Sequence, residues 1–413
     1  MLAYKRGGRG ERIVTQPEMR AEKGKPTRKL NVLMFFLLVF TMVGVAFLVY
    51  LKSQNIDIKN VNVKELVSDG FRDKLVNTEK KEFVEIDYDE KENCAFNTYK
   101  DTLIQCTKDH IKAFNREGKE LWSLTLSMNK PRIKRSGGDL LVYDVEGKEL
   151  YVLSGKDIKW DKKLDNAIIS ADISESGHVS VAQETKGYKG MLTVYNLQGN
   201  EFFTRTVAKN FLLGSKVSPS GKTVLLNTID TSGIKAGTGI EFTDMFGKSL
   251  AAKTLREEEL YPNLWFLKDE LVIAVNESGI ICVDGAGNEK WKQEFTNRKV
   301  YSAGIIPGKY VIAAVGRENN QGVLGGAETD VIILNSEGKQ TEAYEIQDRV
   351  LNIETYSDLA AVNTGREIYF INTRGKLVGK YTSKADVVEV HFFNRQQAAV
   401  VTKTNVVIAE IQQ

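Results

Sequence analysis

The segment Ala113-Phe114-Asn115-Arg116-Glu117-Gly118-Lys119-Glu120-Leu121-Trp122 constrains this chain more than any other feature, because its pattern keeps returning. Apolar residues lead into Asn or Asp, two free positions, Gly, and then a second strand-like run. The pattern recurs at Val194–Asn200, Phe242–Lys248, Cys282–Trp291, Leu334–Lys339 and Ile371–Lys376, with a shortened copy at Leu153-Ser154-Gly155-Lys156. A type I turn favours Asn or Asp first, because that side chain bonds backbone N–H groups further along, and Gly fourth. A left-handed Gly there forms the bulge that realigns the two strands of a hairpin. Each copy therefore reads as one antiparallel hairpin.

The recurring glycines, Gly118 to Gly375, stand about 43 residues apart on average, and a period of roughly 40–45 with several strands per unit belongs to propeller blades. Units begin near Cys94, Ile133, Ile168, Leu212, Leu264, Ser302 and Leu351. After the seventh hairpin three strands remain, Val387–Phe393, Ala398–Lys403 and Asn405–Ile411. The strictly alternating stretch Phe83–Tyr88 supplies the missing fourth. The expected fold is all-β, an eight-bladed propeller over residues 82–413, closed by strand 82–88 pairing with the C-terminal blade. A seven-bladed ring with its ends arranged otherwise is the alternative. Two long connections, Thr228–Gly239 and Gly316–Thr329, both join second to third strands and so leave the same face.

The chain's 57 Lys and Arg nearly balance 54 Asp and Glu, so whole-chain charge gives no sign of nucleic-acid binding. The imbalance is local: residues 1–30 hold nine basic and three acidic side chains. This predicts a disordered basic tail over residues 1–29. Val32–Leu51 is 20 residues without a charge, long enough as a helix to cross a bilayer, so residues 30–52 are predicted to be a transmembrane helix. Within 20 residues of the span the N-terminal flank carries six Lys/Arg and the C-terminal flank three. The positive-inside rule then leaves the N-terminus in the cytoplasm and the body outside, on a single-pass protein of the cytoplasmic membrane. A cleaved signal peptide has a shorter apolar run and a small-residue cleavage site, whereas this run ends Phe47-Leu48-Val49-Tyr50-Leu51. Residues 53–81 read as a stalk, with Val63, Leu66, Val67, Phe71 and Leu75 at the spacing of a short amphipathic helix.

With the hairpins in view, Ala113–Trp122 and Cys282–Trp291 resemble the G-K-x-x-W repeats of PQQ-like β-propellers. Ser218-Pro219-Ser220-Gly221 resembles the corresponding turn of WD-type and TolB-type propellers. The arrangement of tail, span, stalk and propeller is similar to membrane-anchored bacterial propellers of unknown function. The tryptophan after the turn is present at Trp122, Trp160 and Trp291, and is replaced by Phe203, Ala251, Glu342 and Gly379 elsewhere. Structural packing between blades accounts for these three tryptophans. The acidic and aromatic set with which quinoprotein dehydrogenases hold quinone and calcium is not identifiable.

Motifs for chemistry are sparse. Ser220-Gly221-Lys222-Thr223 leads into a strand instead of a helix and lacks the earlier Gly of a phosphate loop. Asp87-Tyr88-Asp89 lacks the later calcium-loop positions. His110, His178 and His391 fall in different blades. Three cysteines fit no zinc spacing; Cys94 and Cys106 straddle a turn, so core thiols and a bridged pair both stay open. The expectation is a non-catalytic binding or scaffold module without cofactor or metal. Its ligand would meet the inter-blade connections, where Lys130, Arg132, Arg298, Asp348 and Arg349 gather. Their basic character points to an envelope protein or an acidic polymer, in addition to the lipid bilayer around the span. An extracytoplasmic enzyme, a quinoprotein or a hydrolase, is the alternative.

Overall fold

A computed structural model of the chain describes Leu38, Thr41, Met42 and residues 84–256, 259–318 and 327–411. The basic tail, the stalk and, apart from those three residues, the Val32–Leu51 span lie outside the described residues. Among the described residues no helix is long and apolar enough to cross a membrane.

The described strands form eight antiparallel sheets of four strands each. Seven take four consecutive strands: blade 1 covers residues 95–125, blade 2 131–163, blade 3 168–207, blade 4 211–254, blade 5 263–294, blade 6 299–346 and blade 7 352–382. The eighth combines Val387–Phe392, Gln397–Thr402 and Asn405–Glu410 with Val84–Asp87. In that blade Val84 faces Ile408 and Ile86 faces Val406, so the ring closes as the orphan strand required. Closure leaves no unpaired edge between the two ends of the array.

The repeated turn forms as its residues dictate. Asn335 Oδ1 accepts the backbone N–H of Glu337 at 3.0 Å and of Lys339 at 2.9 Å, and Gly338 N–H donates to the Asn335 carbonyl at 3.0 Å. The same pair of side-chain bonds recurs at Asn115, Asn196, Asp244, Asp284 and Asn372. A second reason for glycine appears only in three dimensions. In most blades the fourth strand lays a side chain under the turn of the next. Trp160 of blade 2 lies under Gly199, and Trp291 of blade 5 under Gly338. Their indole N–H groups donate to the Leu197 and Ser336 carbonyls at 3.1 and 3.0 Å. This is inter-blade packing by the repeat tryptophans. Trp122 has no such turn above it, since the shortened turn of blade 2 leaves open space around Gly155.

That contrast separates two costs. Gly338→Ala forces a residue with a Cβ into φ +78° and drives that Cβ into the Trp291 ring. Gly155→Ala meets only the φ of +65°. The expected losses are about 1 kcal/mol at Gly155 and about 2–3 kcal/mol at Gly338. Urea unfolding of both variants beside the parent checks this, and equal losses would show that the ring under Gly338 yields freely.

All three cysteines are free. Ala95 pairs with Cys106, which leaves Cys94 one residue beyond, its sulfur taking the Gln105 amide at 3.7 Å. Burial pushes the Cys106 and Cys282 thiols up to about 12, as expected of small core residues.

Candidate ligand channel

In each blade the first strand is innermost, and first strands of successive blades stand side by side around the axis. Antiparallel order then places every fourth-to-first connection and every second-to-third loop on one face, with the Asx-x-x-Gly turns on the other. The strands that flank the two long loops end on the first of these faces. Their strands run further than expected, to Asp230 and from Gly237 in blade 4, and to Glu318 and from Ala327 in blade 6. Register shifts interrupt the first strands of blades 3, 4, 5, 6 and 8 at Ile168/Ser170, Leu212/Gly214, Phe266/Lys268, Val300/Ser302 and Val387/Glu389. A bulge of this kind re-aims the side chains that follow it.

Two cavities open along this inner wall. The larger, about 630 Å³, lies among the first strands of blades 7, 8, 1 and 2 and is lined by Arg132, Glu354, Glu389, His391, Asn97 and Cys94, with others. His391 Nε2 stands 3.0 Å from Glu389 Oε2. That hydrogen bond, with the charges of His391 and Arg132, holds the Glu389 carboxyl below the ordinary range against the effect of burial. Glu354 is pushed the other way, by burial first and also by Glu389, with His391 and Arg135 opposing. Arg135 is tied up in the wall: its guanidinium donates to the Thr98 hydroxyl at 2.7 Å and carbonyl at 3.0 Å, joining blade 2 to blade 1.

The raised Glu354 has a measurable consequence. A carboxyl whose folded-state value lies above its unfolded one stabilises the fold below the unfolded value, and that contribution is lost as pH rises through the folded value. Glu354→Gln removes the neutral-pH penalty, so the variant is expected to melt above the parent at pH 7, with the gap shrinking towards pH 4. A gap that widens towards acid would show Glu354 stabilised as the anion.

The smaller cavity, about 360 Å³, is a wedge between blades 4 and 5, lined among others by Lys134, Lys216, Asn227, Leu225 and Trp265. Asp172 pairs with Lys134 at 2.7 Å and with Lys216 at 3.3 Å. Burial opposes the charge on both lysines. Asp172 outweighs it on Lys134, whose value rises, whereas on Lys216 burial and the Lys134 charge win and the value falls. The two ammonium groups hold Asp172 below the usual carboxylate range despite its burial. Among the described residues, no group of three or more His, Cys, Asp or Glu converges as a metal ion would need.

The five residues singled out from the connections have the following partners. Arg132 lines the larger cavity. Lys130 pairs with Glu146, Arg298 with Asp330 at 2.7 Å and with the Val315 carbonyl, and Arg349 lies over the Tyr301 ring at 5.3 Å. Asp348 offers its backbone carbonyl to Thr329 at 2.7 Å, and burial raises its carboxyl. The residues sequence reasoning passed over are Lys134, Asp172, Lys216, Trp265 and Glu354. Their signal was a charged or aromatic side chain inside the first strand of a unit, where apolar residues prevail.

The sequence matches a family of unknown function, DUF5711, over residues 75–411. The chain belongs to that family. No curated protein matches it. Among solved structures this member is similar to Sqt1 of Saccharomyces cerevisiae, with a TM-score of 0.58 at 12% identity over 79% of this chain and 98% of that one. BamB from Moraxella catarrhalis gives 0.51 at 13%, covering 79% and 98%. The C-terminal WD40 domain of Sif2 gives 0.53 at 11%, covering 79% and 99%. Likeness at these identities speaks to the fold, a propeller with WD-type and PQQ-like relatives, and not to the ligand.

Proposed function

We propose that this DUF5711 member is a non-catalytic binding module held on the outer side of the cytoplasmic membrane by its Val32–Leu51 span, presenting the inter-blade face to an envelope protein. The observation that carries the reading is the hydrogen bonding of the described connections on that face. Asp144 accepts the N–H groups of Asn129 and Lys130 at 2.9 and 2.7 Å. Thr238 Oγ1 accepts that of Tyr261 at 2.7 Å, and Asn363 donates to the Val387 carbonyl at 3.1 Å. Arg366, on the second-to-third loop of blade 7, pairs with Asp386 at 2.6 Å in the connection to blade 8. Connections pinned this way lose little freedom on binding, which is how a preformed surface gains affinity. Several of the basic groups on the face already hold an acid, which favours a protein with its own mixed polar surface over a uniformly acidic polymer. The anchoring rests on the 20-residue apolar run and its flanking charge.

A photo-crosslinking residue tests the reading in intact cells. Placed at Leu351, 52% exposed on the inter-blade face, it is expected to trap envelope protein. Placed at Phe246, 81% exposed on an opposite-face turn, it is expected to trap none. Equal adducts from both sites would remove the assignment of the face, and an acidic polymer in the Leu351 adduct would replace the protein. Labelling of a cysteine at Ser232 by a membrane-impermeant maleimide reports sidedness, and protection until lysis would place the body inside.

A further inference from the structure

We infer that the wedge between blades 4 and 5 takes the C-terminal residue of a peptide, with a free carboxylate and an apolar side chain. This rests on the binding-module reading and says what part of a partner the channel reads. Three observations converge. The charged end of the wedge holds two ammonium groups, Lys134 and Lys216, against the single carboxylate of Asp172. Both lysines line the cavity, and Asp172 does not, so an anion entering there meets uncompensated positive charge.

The second observation is an acceptor without a donor. Asn227 Oδ1 is buried and has no hydrogen-bond partner, as is Ser215 Oγ on the neighbouring strand. Buried polar atoms are seldom left so without a reason. Gly214 stands opposite Asn227 in the register, and the Ser170 hydroxyl takes the space a side chain there would need. An incoming N–H group would complete Asn227. The third is the apolar wall formed by Leu213, Leu225 and Leu264, with Trp265 at its border, packed against the core of blades 5 and 6.

A carboxylate, an amide N–H one carbon away and an apolar side chain are together the last residue of a peptide. The direction of access argues for a chain end. The wedge rim includes Pro262 and Asn263, at the connection into blade 5 on the inter-blade face. Its floor is the packed core that Leu225 and Leu264 share with Phe242 and Phe266. A chain entering from the rim meets that floor.

The test uses the purified full chain in detergent and the intrinsic fluorescence of Trp265, one of four tryptophans. The probes are the tripeptide acetyl-Ser-Ala-Leu with a free C-terminal acid and the same peptide as its amide. The acid is expected to bind at least about tenfold more tightly than the amide, since one charge-assisted contact is worth about a factor of ten or more. Lys216→Met keeps a one-to-one Lys134–Asp172 pair and so keeps the fold. It is expected to bring acid and amide within about twofold, and Lys134→Met serves as a second variant. Trp265→Phe is expected to abolish the signal while the acid still binds by calorimetry. Equal binding of acid and amide, no binding of either, or a preference that survives both lysine variants would overturn the assignment. Failure here with Leu351 cross-links intact removes the wedge alone, whereas an intact acid preference without cross-links removes the scaffold reading alone.

Discussion

Ile86→Asp is expected to lower the unfolding free energy by about 4–5 kcal/mol, the largest single-residue effect anticipated here. Ile86 is 8% exposed and pairs with Val406 in the closing strand. It packs in a cluster with Phe96, Leu103, Phe393 and Ile408, where blade 8 meets blade 1. An aspartate there removes apolar contact and buries a carboxylate among apolar side chains. Among the described residues the closing strand pairs four, Val84 to Asp87, so little else compensates. Ile86→Val should cost only about 1 kcal/mol, which separates loss of closure from loss of a methyl group. Urea unfolding of the full chain, with protease susceptibility of the last blade followed in parallel, provides the measurement. A midpoint unchanged by the aspartate would mean the ring holds without this strand.

Asp172→Asn comes next, at about 3–4 kcal/mol. The neutral amide leaves Lys134 and Lys216 facing each other without the carboxylate that sits 2.7 and 3.3 Å away. The figure is set below the upper end for a buried pair because the Lys134 side chain keeps 38% exposure. The pH dependence follows from the depressed Asp172 value. A carboxylate held below its unfolded value stabilises the fold above that unfolded value, about 3.9, and the contribution is lost as pH falls through the folded value. The parent should therefore lose its advantage over Asp172→Asn as pH drops below about 4. An advantage that persists unchanged down to pH 2 would show that the triad does not stabilise the protein. Because removing one lysine leaves a balanced pair, Lys216→Met should cost much less than Asp172→Asn.

The blades were legible because each hairpin is a local event. Asn335 or Asp284 needs only residues two and four ahead to form its turn, so the period could be counted without tertiary information. The closing strand was legible by subtraction: Val387–Ile411 is one strand short, and Val84–Asp87 had no other partner. The wedge was not legible. Lys134, Asp172 and Lys216 lie on the first strands of three different blades, and nothing local marks them as neighbours. Arg298 was singled out from its place on a connection, and only the fold shows that it holds Asp330 and the Val315 carbonyl.

What the sequence determined by itself was therefore everything set by short-range chemistry: the turn, the strand count, the ring and the apolar run ahead of it. Tertiary structure alone decided which side chains meet at the axis, because a ring brings one strand from every blade to the same place whatever their separation along the chain. It decided too that glycine in the turn answers to the tryptophan of the preceding blade, as Gly338 does to Trp291, and that Lys216 shares an anion with Lys134. Those contacts depend on how far one blade is rotated against the next, and that angle is set by the packing of whole sheets.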